Sequence, residues 1–215
     1  MIDGPGMRRV RVKFCGMTRA ADARAAVALG ADAIGLIFYP PSPRAVTVKQ
    51  ALAVLDAAAP LVTTVGVFVN PSASELAAVL SRVPLDMLQF HGEEDPELCA
   101  AAGRPWIKAV GMREGVDARA AARRYAGARG LLLDTFSARN KGGTGRAFDW
   151  TLVPADLDRP VILAGGLDAG NVAQAIAAVR PYAVDVNGGV ESSPGVKDAR
   201  KMEAFMQEVE RAQAA

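Results

Sequence analysis

Two side chains that are capable of acid–base chemistry end short apolar segments of this sequence. Cys15 ends the segment VKFC, and Asp134 ends the segment LLLD. A thiol and a carboxyl can act as general base and general acid on one substrate. Taken singly, such a cysteine is more often a small buried hydrophobe, and such an aspartate often caps a helix. The pair therefore indicates catalysis only if the fold brings both side chains to one site.

Two glycine pairs also follow apolar segments, and they predict a site for a phosphorylated ligand. Gly165-Gly166 lies in ILAGGLDAGN, and Gly188-Gly189 lies in VDVNGGVESSPG. Backbone N–H groups in such turns, together with a short helix N-terminus, bind phosphate oxygens. Tight turns alone would explain one glycine pair, but two pairs in the same register favour phosphate binding. Asp185, in the second motif, either stiffens this turn or lines the pocket.

A third glycine cluster does not fit a nucleotide site. The residues Gly142-Gly143-Thr144-Gly145 lack the order G-x-x-x-x-G-K-[ST] of a P-loop. We therefore interpret the surrounding segment, Thr135–Ala147, as a mobile lid over the site.

Eight short apolar segments, several of them rich in β-branched residues, must position these side chains. They are Val10–Phe14, Ala33–Phe38, Val62–Val69, Asp86–Phe90, Trp106–Val110, Gly130–Leu133, Val161–Leu163 and Ala183–Val186. Ala-rich segments with helical period lie between them. Near-continuous apolar strands that alternate with helices predict parallel strands covered by helices.

Clear helical patterns follow the third and the eighth strand. After the third strand, Ser72 and Glu75 form a capping box. Apolar residues then fall at the spacing i, i+3, i+4 and i+7 of one helix face, at Leu76, Val79, Leu80 and Val83. The last helix repeats this spacing at Met202, Phe205, Met206 and Val209.

The pattern favours a closed (β/α)8 barrel over an open doubly wound sheet. Eight βα units match the barrel, and 215 residues is at the lower end of the length that such a fold requires. An open sheet would be expected to show a dinucleotide fingerprint after its first strand, but that turn reads FCGMT. In a barrel, the residues that end the strands meet in one ring at one face. His91 ends the fourth strand, and we interpret it as a packed structural or pocket-lining side chain.

Composition argues against several other classes of protein. The net charge is +2 and the basic residues are scattered, so we expect no nucleic-acid partner. The longest apolar runs, such as Leu61–Val69, are too short to cross a membrane. Two cysteines and one histidine favour neither a disulfide framework nor a zinc site. We expect a cytoplasmic protein with one domain at residues 10–215, after a flexible extension or tag remnant at residues 1–9.

The motifs resemble those of the phosphoribosylanthranilate isomerase family of tryptophan biosynthesis. The resemblance covers the chain from Val10 onward and rests on six motifs in the same order: VKFCGMT, FYPPSPR, LQFHGEE, LLLDTFSARNKGGTGRAFDW, ILAGGL and VDVNGGVESSPGVKD. It implies a (β/α)8 barrel that converts the aminoaldose N-(5-phosphoribosyl)anthranilate to 1-(2-carboxyphenylamino)-1-deoxyribulose 5-phosphate by an Amadori rearrangement. It implies neither cofactor nor metal, and it leaves open whether the protein is a monomer or a homodimer.

The resemblance also implies roles for particular residues. Asp134 matches the general acid that protonates the furanose ring oxygen, and Cys15 matches the general base that removes the C2′ proton. Arg44, which ends FYPPSPR, matches the residue that binds the anthranilate carboxylate. Gly166 and Asn187-Gly188-Gly189 match the phosphate-binding turns. Proton abstraction needs a partly ionised thiol, so we expect a positive field to lower the pKa of Cys15.

This chain departs from the family at the last phosphate turn. The family commonly shows Ser-Ser-Gly after the eighth strand, whereas this chain has Asn187-Gly188-Gly189. The change removes two hydroxyl donors and leaves the backbone donors. We therefore expect the main chain rather than side-chain hydroxyls to bind the phosphate.

Two other functions compete with this interpretation. The histidine-pathway aldose–ketose isomerase, or a bifunctional relative, performs the same rearrangement on a bisphosphorylated substrate. That family places Asp at the end of the first strand, where this chain has Cys15. A non-catalytic phosphosugar-binding barrel would keep the glycine turns and lose the acid or the base, and both are present here.

Overall fold

A closed barrel of eight parallel strands forms the centre of the protein. The computed structural model describes residues 9–135 and 147–214. Each strand pairs with the next along the chain, and β8 pairs with β1 to close the sheet. The strands are β1 (Arg11–Phe14), β2 (Ala33–Ile37), β3 (Thr63–Phe68), β4 (Met87–Phe90), β5 (Trp106–Met112), β6 (Leu131–Thr135), β7 (Val161–Leu163) and β8 (Ala183–Val186). All eight overlap the apolar segments of the sequence, and the predicted barrel is confirmed.

Seven α-helices lie among the described residues and cover the barrel. They are α1 (Ala20–Ala28), α2 (Val48–Asp56), α3 (Ala73–Leu80), α4 (Pro96–Ala101), α5 (Ala118–Arg124), α6 (Val172–Val179) and α7 (Ala199–Ala214). The capping box of Ser72 and Glu75 is present at the start of α3, as predicted. The apolar face predicted for α7 is buried as well. In the described part of the chain, no helix is both long and apolar enough to cross a membrane.

One expected βα unit differs from the prediction. The described residues between β6 and β7 contain a 3-10 helix, Trp150–Leu152, capped by Asp149, and no α-helix. The sequence that follows this turn contains Pro154 and Pro160, which are incompatible with a helix interior. The rest of the predicted lid, residues 136–146, and most of the predicted N-terminal extension, residues 1–8, lie outside the described residues.

A short hairpin after β8 was not predicted. A 3-10 helix, Gly188–Val190, leads into β9 (Glu191–Ser193), which pairs antiparallel with β10 (Val196–Lys197). Pro194-Gly195 forms the turn, and Gly195 has φ +82°. Pro followed by a Gly with positive φ suits a type II turn, so the sequence did contain a signal for it.

The two faces of the strands have different environments. Outward side chains such as Phe14, Leu36 and Phe68 are buried in a large cluster with the helices. Inward apolar residues, among them Ile107 and Leu132, form a second cluster. Because side chains alternate along a strand, the inward residues near the C-terminal ends of the strands converge on one opening.

A buried ion pair fixes two of the loops around this opening. Lys108, on β5, is 2% exposed, and its Nζ lies 3.0 Å from Glu94 Oε2. The same ammonium group donates to the carbonyl oxygens of Phe90 and Gly92. Glu94 Oε1 accepts from the backbone N–H groups of Asn70 and Gly92. The pair therefore ties the loop after β3 to the turn after β4.

We expect Lys108→Met to destabilise the protein strongly. Removing one partner of a buried ion pair leaves an uncompensated charge, and the loss is about 3–5 kcal/mol. Urea denaturation measures it, with Lys49→Met on the exposed side of α2 as the control. Equal unfolding midpoints for the two variants would show that Glu94 is satisfied without Lys108.

Candidate active site

One cavity at the C-terminal ends of the strands gathers every site residue that the sequence predicted. Its volume is about 820 Å³. The nine predicted residues that line it are Cys15, Arg44, His91, Asp134, Gly166, Asp185, Asn187, Gly188 and Gly189. Cavities of this size suit a small-molecule substrate. The sequence analysis required the fold to bring the thiol, the carboxyl and the glycine turns to one site. The structure does so.

Cys15 is held at the end of β1 by backbone contacts. It is 4% exposed, and its N–H donates to the Val186 carbonyl at 2.9 Å. The chain then turns at Gly16, whose φ is +73°. A Cβ at Gly16 would lie 2.7 Å from Asn187 Oδ1 and 2.9 Å from Arg44 Cδ. Glycine is thus needed here for both its conformation and the close approach of its neighbours.

The surroundings of Cys15 do not lower its pKa, contrary to expectation. Burial raises the pKa of the Cys15 thiol above its ordinary value. The nearby Lys13 ammonium acts in the opposite direction, while the Asp185 carboxylate adds to the rise. The positive charge that we expected is present, but the loss of hydration outweighs it.

Asp134 belongs to a chain of polar side chains. Its Oδ2 lies 3.3 Å from His91 Nε2, and its Oδ1 accepts from the Thr135 N–H at 2.7 Å. On the far side of the ring, Gln89 Nε2 lies 2.9 Å from His91 Nδ1. Nε2, the other ring nitrogen, faces the Asp134 carboxyl. His91 thus lines the pocket and orients Asp134.

Arg44 is oriented by a carboxylate from the hairpin. Its Nε and Nη2 donate to the two oxygens of Glu191 at 2.8 and 2.7 Å. Glu191 also accepts from the fully buried ammonium group of Lys197 at 2.9 Å. Burial acts to raise the pKa of Glu191, but hydrogen bonds from Arg44 and Lys197 hold it below its ordinary value. One edge of the Arg44 guanidinium is therefore occupied, and because Nη1 has no hydrogen-bond partner among the described residues, it can bind a second anion.

The two glycine turns pack directly against each other. Gly165 and Gly166 have φ of +85° and +65°. The Asn171 amide, at the start of α6, donates to the Gly166 carbonyl at 2.8 Å. A Cβ at Gly189 would lie 2.0 Å from the Leu167 carbonyl oxygen. Only glycine permits this contact, which brings the turns after β7 and β8 together.

The side chain of Asn187 has a partner within the protein. Lys197 Nζ donates to Asn187 Oδ1 at 2.9 Å and to the Asn187 carbonyl at 3.0 Å. The residue that replaces a serine of the family motif is therefore bound to the hairpin. This arrangement is consistent with a phosphate site made from backbone N–H groups.

Four residues at the site were missed by the sequence analysis, namely Lys13, Gln89, Glu191 and Lys197. Lys13 and Gln89 each precede a predicted site residue by two positions in a strand, so they share its face. That spacing would have found them. Glu191 and Lys197 reach the site through the hairpin, and their partners are distant in the sequence.

Fold and site together define a class: a (β/α)8 barrel whose cavity at the C-terminal ends of the strands brings together a thiol, a carboxyl and two glycine turns. The sequence model described as N-(5'phosphoribosyl)anthranilate (PRA) isomerase matches residues 12–208. The chain belongs to this family. It therefore catalyses the aldose–ketose isomerisation of phosphoribosylanthranilate in tryptophan biosynthesis.

Individual relatives agree with this assignment. The N-(5'-phosphoribosyl)anthranilate isomerase of Pseudomonas putida (strain W619) is 62% identical over 206 residues, which are 96% of this chain and 100% of that protein. The crystal structure of phosphoribosyl anthranilate isomerase from Thermotoga maritima is similar with TM-score 0.86 and 41% identity, over 94% of this chain and 99% of that one. A third is a phosphoribosyl anthranilate isomerase in complex with reduced 1-(o-carboxyphenylamino)-1-deoxyribulose 5-phosphate, with TM-score 0.83, 40% identity and coverage of 94% and 99%.

We expect Gly189→Ala and Gly188→Ala to differ sharply. At Gly189 the new Cβ would clash with the Leu167 carbonyl, whereas at Gly188 it would lie 3.5 Å from Arg44 Nη2, an ordinary contact. Overpacking of this kind costs about 1–3 kcal/mol, so Gly189→Ala should lower the free energy of unfolding by that amount more than Gly188→Ala does. Equal unfolding curves for the two variants would refute the packing of the two turns.

Proposed function

We propose that Cys15 and Asp134 are the general base and general acid of the isomerisation, and that the two glycine turns hold the phosphate. The observation that carries the proposal is the single cavity that contains all of these groups. The substrate would be N-(5-phosphoribosyl)anthranilate, in the cytoplasm, where its biosynthetic pathway is expected to operate. The bound analogue of one relative, the reduced form of a phosphorylated aminoketose, supports this choice of substrate.

In the first step, Asp134 opens the furanose ring. Its carboxyl proton passes to the ring oxygen, and the bond between that oxygen and C1′ breaks. The anthranilate nitrogen donates its lone pair to C1′, which gives a cationic Schiff base. His91 Nε2, 3.3 Å from Asp134 Oδ2, holds the carboxyl in place during the transfer.

In the second step, the thiolate of Cys15 removes the C2′ proton. The electrons of the C–H bond form a C1′=C2′ double bond, and those of the C=N bond return to nitrogen. The resulting enolamine becomes the aminoketose when C1′ gains a proton and the C2′ hydroxyl loses one. The cationic Schiff base favours the thiolate, because it places a positive charge beside a buried anion.

Binding at the two ends of the substrate uses different groups. The turns that contain Gly166 and Gly188 present the backbone to the phosphate. Arg44 would bind the anthranilate carboxylate through the guanidinium edge that Glu191 leaves free. Together these contacts would place C1′ and C2′ between Cys15 and Asp134.

We expect Cys15→Ala and Asp134→Asn each to lower kcat by at least about 100-fold, since general acid–base catalysis contributes about 10²–10⁴-fold per group. Cys15→Ser should be nearly as inactive, because a serine hydroxyl does not ionise in this pH range. The matched control is Cys99→Ala, which changes the other buried cysteine, in α4 and outside the cavity. Near-normal turnover of Cys15→Ala in a steady-state fluorescence assay would remove Cys15 from the reaction.

We expect Arg44→Ala to act mainly through KM. Loss of a charged hydrogen bond to the substrate costs about 1.5–3 kcal/mol of binding. The same change removes one of the two cationic partners of Glu191 and leaves Lys197 as the other, so Arg44→Ala/Glu191→Gln separates loss of substrate binding from the altered charge of Glu191. KM should stay high in the double variant. If KM of the double variant returned to the wild-type value, Arg44 would serve to neutralise Glu191 rather than to bind substrate.

A further inference from the structure

Lys13 is a charged residue inside the barrel that the two proposed steps do not use. Its side chain is 6% exposed, and its Nζ donates to Asp185 Oδ1, itself on a side chain 8% exposed, at 2.7 Å. Burying two charges costs several kcal/mol in hydration, and such a pair is often no more stable than apolar residues would be. Stability alone therefore does not account for an ion pair at this place.

The ammonium group of Lys13 lies close to the sulfur of Cys15. Both residues lie on the inward face of the first strand, two positions apart. On the neighbouring strand stands Gly35. A Cβ at Gly35 would lie 2.8 Å from Cys15 Sγ and 3.2 Å from Lys13 Nζ. The two groups thus share a space that any other residue at position 35 would fill.

Among the described residues, four charged groups act on Cys15 from the surrounding elements: Lys13 on β1, Asp185 on β8, Lys197 on β10 and Arg44 in the loop after β2. Arg44 and Lys197 both pair with Glu191. Of the charges that act on the thiol, Lys13 lowers its pKa most, against burial and Asp185. Burial acts to lower the pKa of Lys13, but Asp185 and Cys15 raise it above its ordinary value. Lys13 therefore stays protonated while the thiol titrates.

We propose that Lys13 is a positioning residue for the reaction: its buried ammonium group, anchored by Asp185 and admitted by Gly35, is the counter-charge that holds the thiolate of Cys15 in the barrel. Asp185 keeps the lysine in place and charged, rather than contacting the phosphate. This inference rests on the proposed role of Cys15 as base.

The test measures the pKa of the thiol directly, from the pH dependence of alkylation of Cys15 by iodoacetamide. A Cys99→Ala background leaves Cys15 as the only cysteine. Lys13→Met should raise the thiol pKa by about one unit or more, which slows alkylation near neutral pH about tenfold. Lys49→Met, the same change at an exposed lysine of α2, should leave the thiol pKa unchanged.

A second variant guards against misfolding of the first. Lys13→Met leaves Asp185 as an unpaired buried carboxylate, whereas Lys13→Met/Asp185→Asn removes both charges. The thiol pKa should rise in the double variant too, because the contribution of Lys13 exceeds that of Asp185. An unchanged thiol pKa in either folded variant would overturn the proposal.

The unmutated barrel provides a further readout. Because electrostatic coupling is mutual, the Lys13 ¹³Cε NMR resonance should shift as Cys15 ionises, and this shift should vanish in Cys15→Ala. A Lys13 ¹³Cε resonance that does not shift as the thiol titrates would also overturn the proposal. Alkylation and NMR test the role of Lys13 without enzymatic turnover. The role of Cys15 as the base is tested separately, because activity that survives in Cys15→Ala would contradict that role alone.

Discussion

The seam between β1 and β8 is the contact on which the site depends. Pairing of these strands closes the barrel and places Lys13 opposite Asp185 and Phe14 opposite Val186. The seam thus carries one buried ion pair on its inner face and apolar side chains on its outer face. One register error would reverse the two faces. Closure and the electrostatics around Cys15 are therefore set by the same hydrogen-bonded pairing.

The cationic side chains Lys13, Arg44 and Lys197, at the C-terminal ends of the strands, are tolerated because each has a carboxylate partner. Lys13 has Asp185, Arg44 and Lys197 share Glu191, and these three contacts are all shorter than 3 Å. The two positive charges that share Glu191 leave an excess of one, at the end of the cavity formed by the hairpin. An anionic substrate is attracted to such a site, because low-polarity walls strengthen the interaction.

Much of this architecture could be predicted from the sequence. The apolar segments overlap all eight strands because buried parallel strands are nearly continuous in hydrophobicity. The prediction that the strand ends meet in one ring identified Cys15, His91 and Asp134, since a barrel gathers those positions. The same prediction did not identify Lys13, because it considered only the residues that end the strands. Lys13 lies two positions before Cys15 on the same face of β1.

The remaining features depend on contacts that are distant in the sequence. Arg44 and Glu191 are 147 positions apart, and no local pattern couples them. The pKa of Cys15 was expected to fall because a positive charge was expected, but the balance also depends on burial. The extent of burial of the thiol depends on how the barrel packs, and it cannot be derived from residue types alone. The segment after β6 is the opposite case, because its departure from the pattern is visible in the sequence. Its prolines are incompatible with the helix that a regular series of βα units predicts there.

The central claim is that Cys15 takes the proton from C2′ of the substrate. The most direct measurement is exchange of that proton with solvent deuterium, followed by mass spectrometry of substrate recovered before the reaction is complete. The account predicts that deuterium enters C2′ with the wild-type enzyme and with Asp134→Asn supplied with an open-chain Schiff base, and that none enters with Cys15→Ala. Exchange at the wild-type rate in Cys15→Ala would contradict the account and assign the proton transfer to another group.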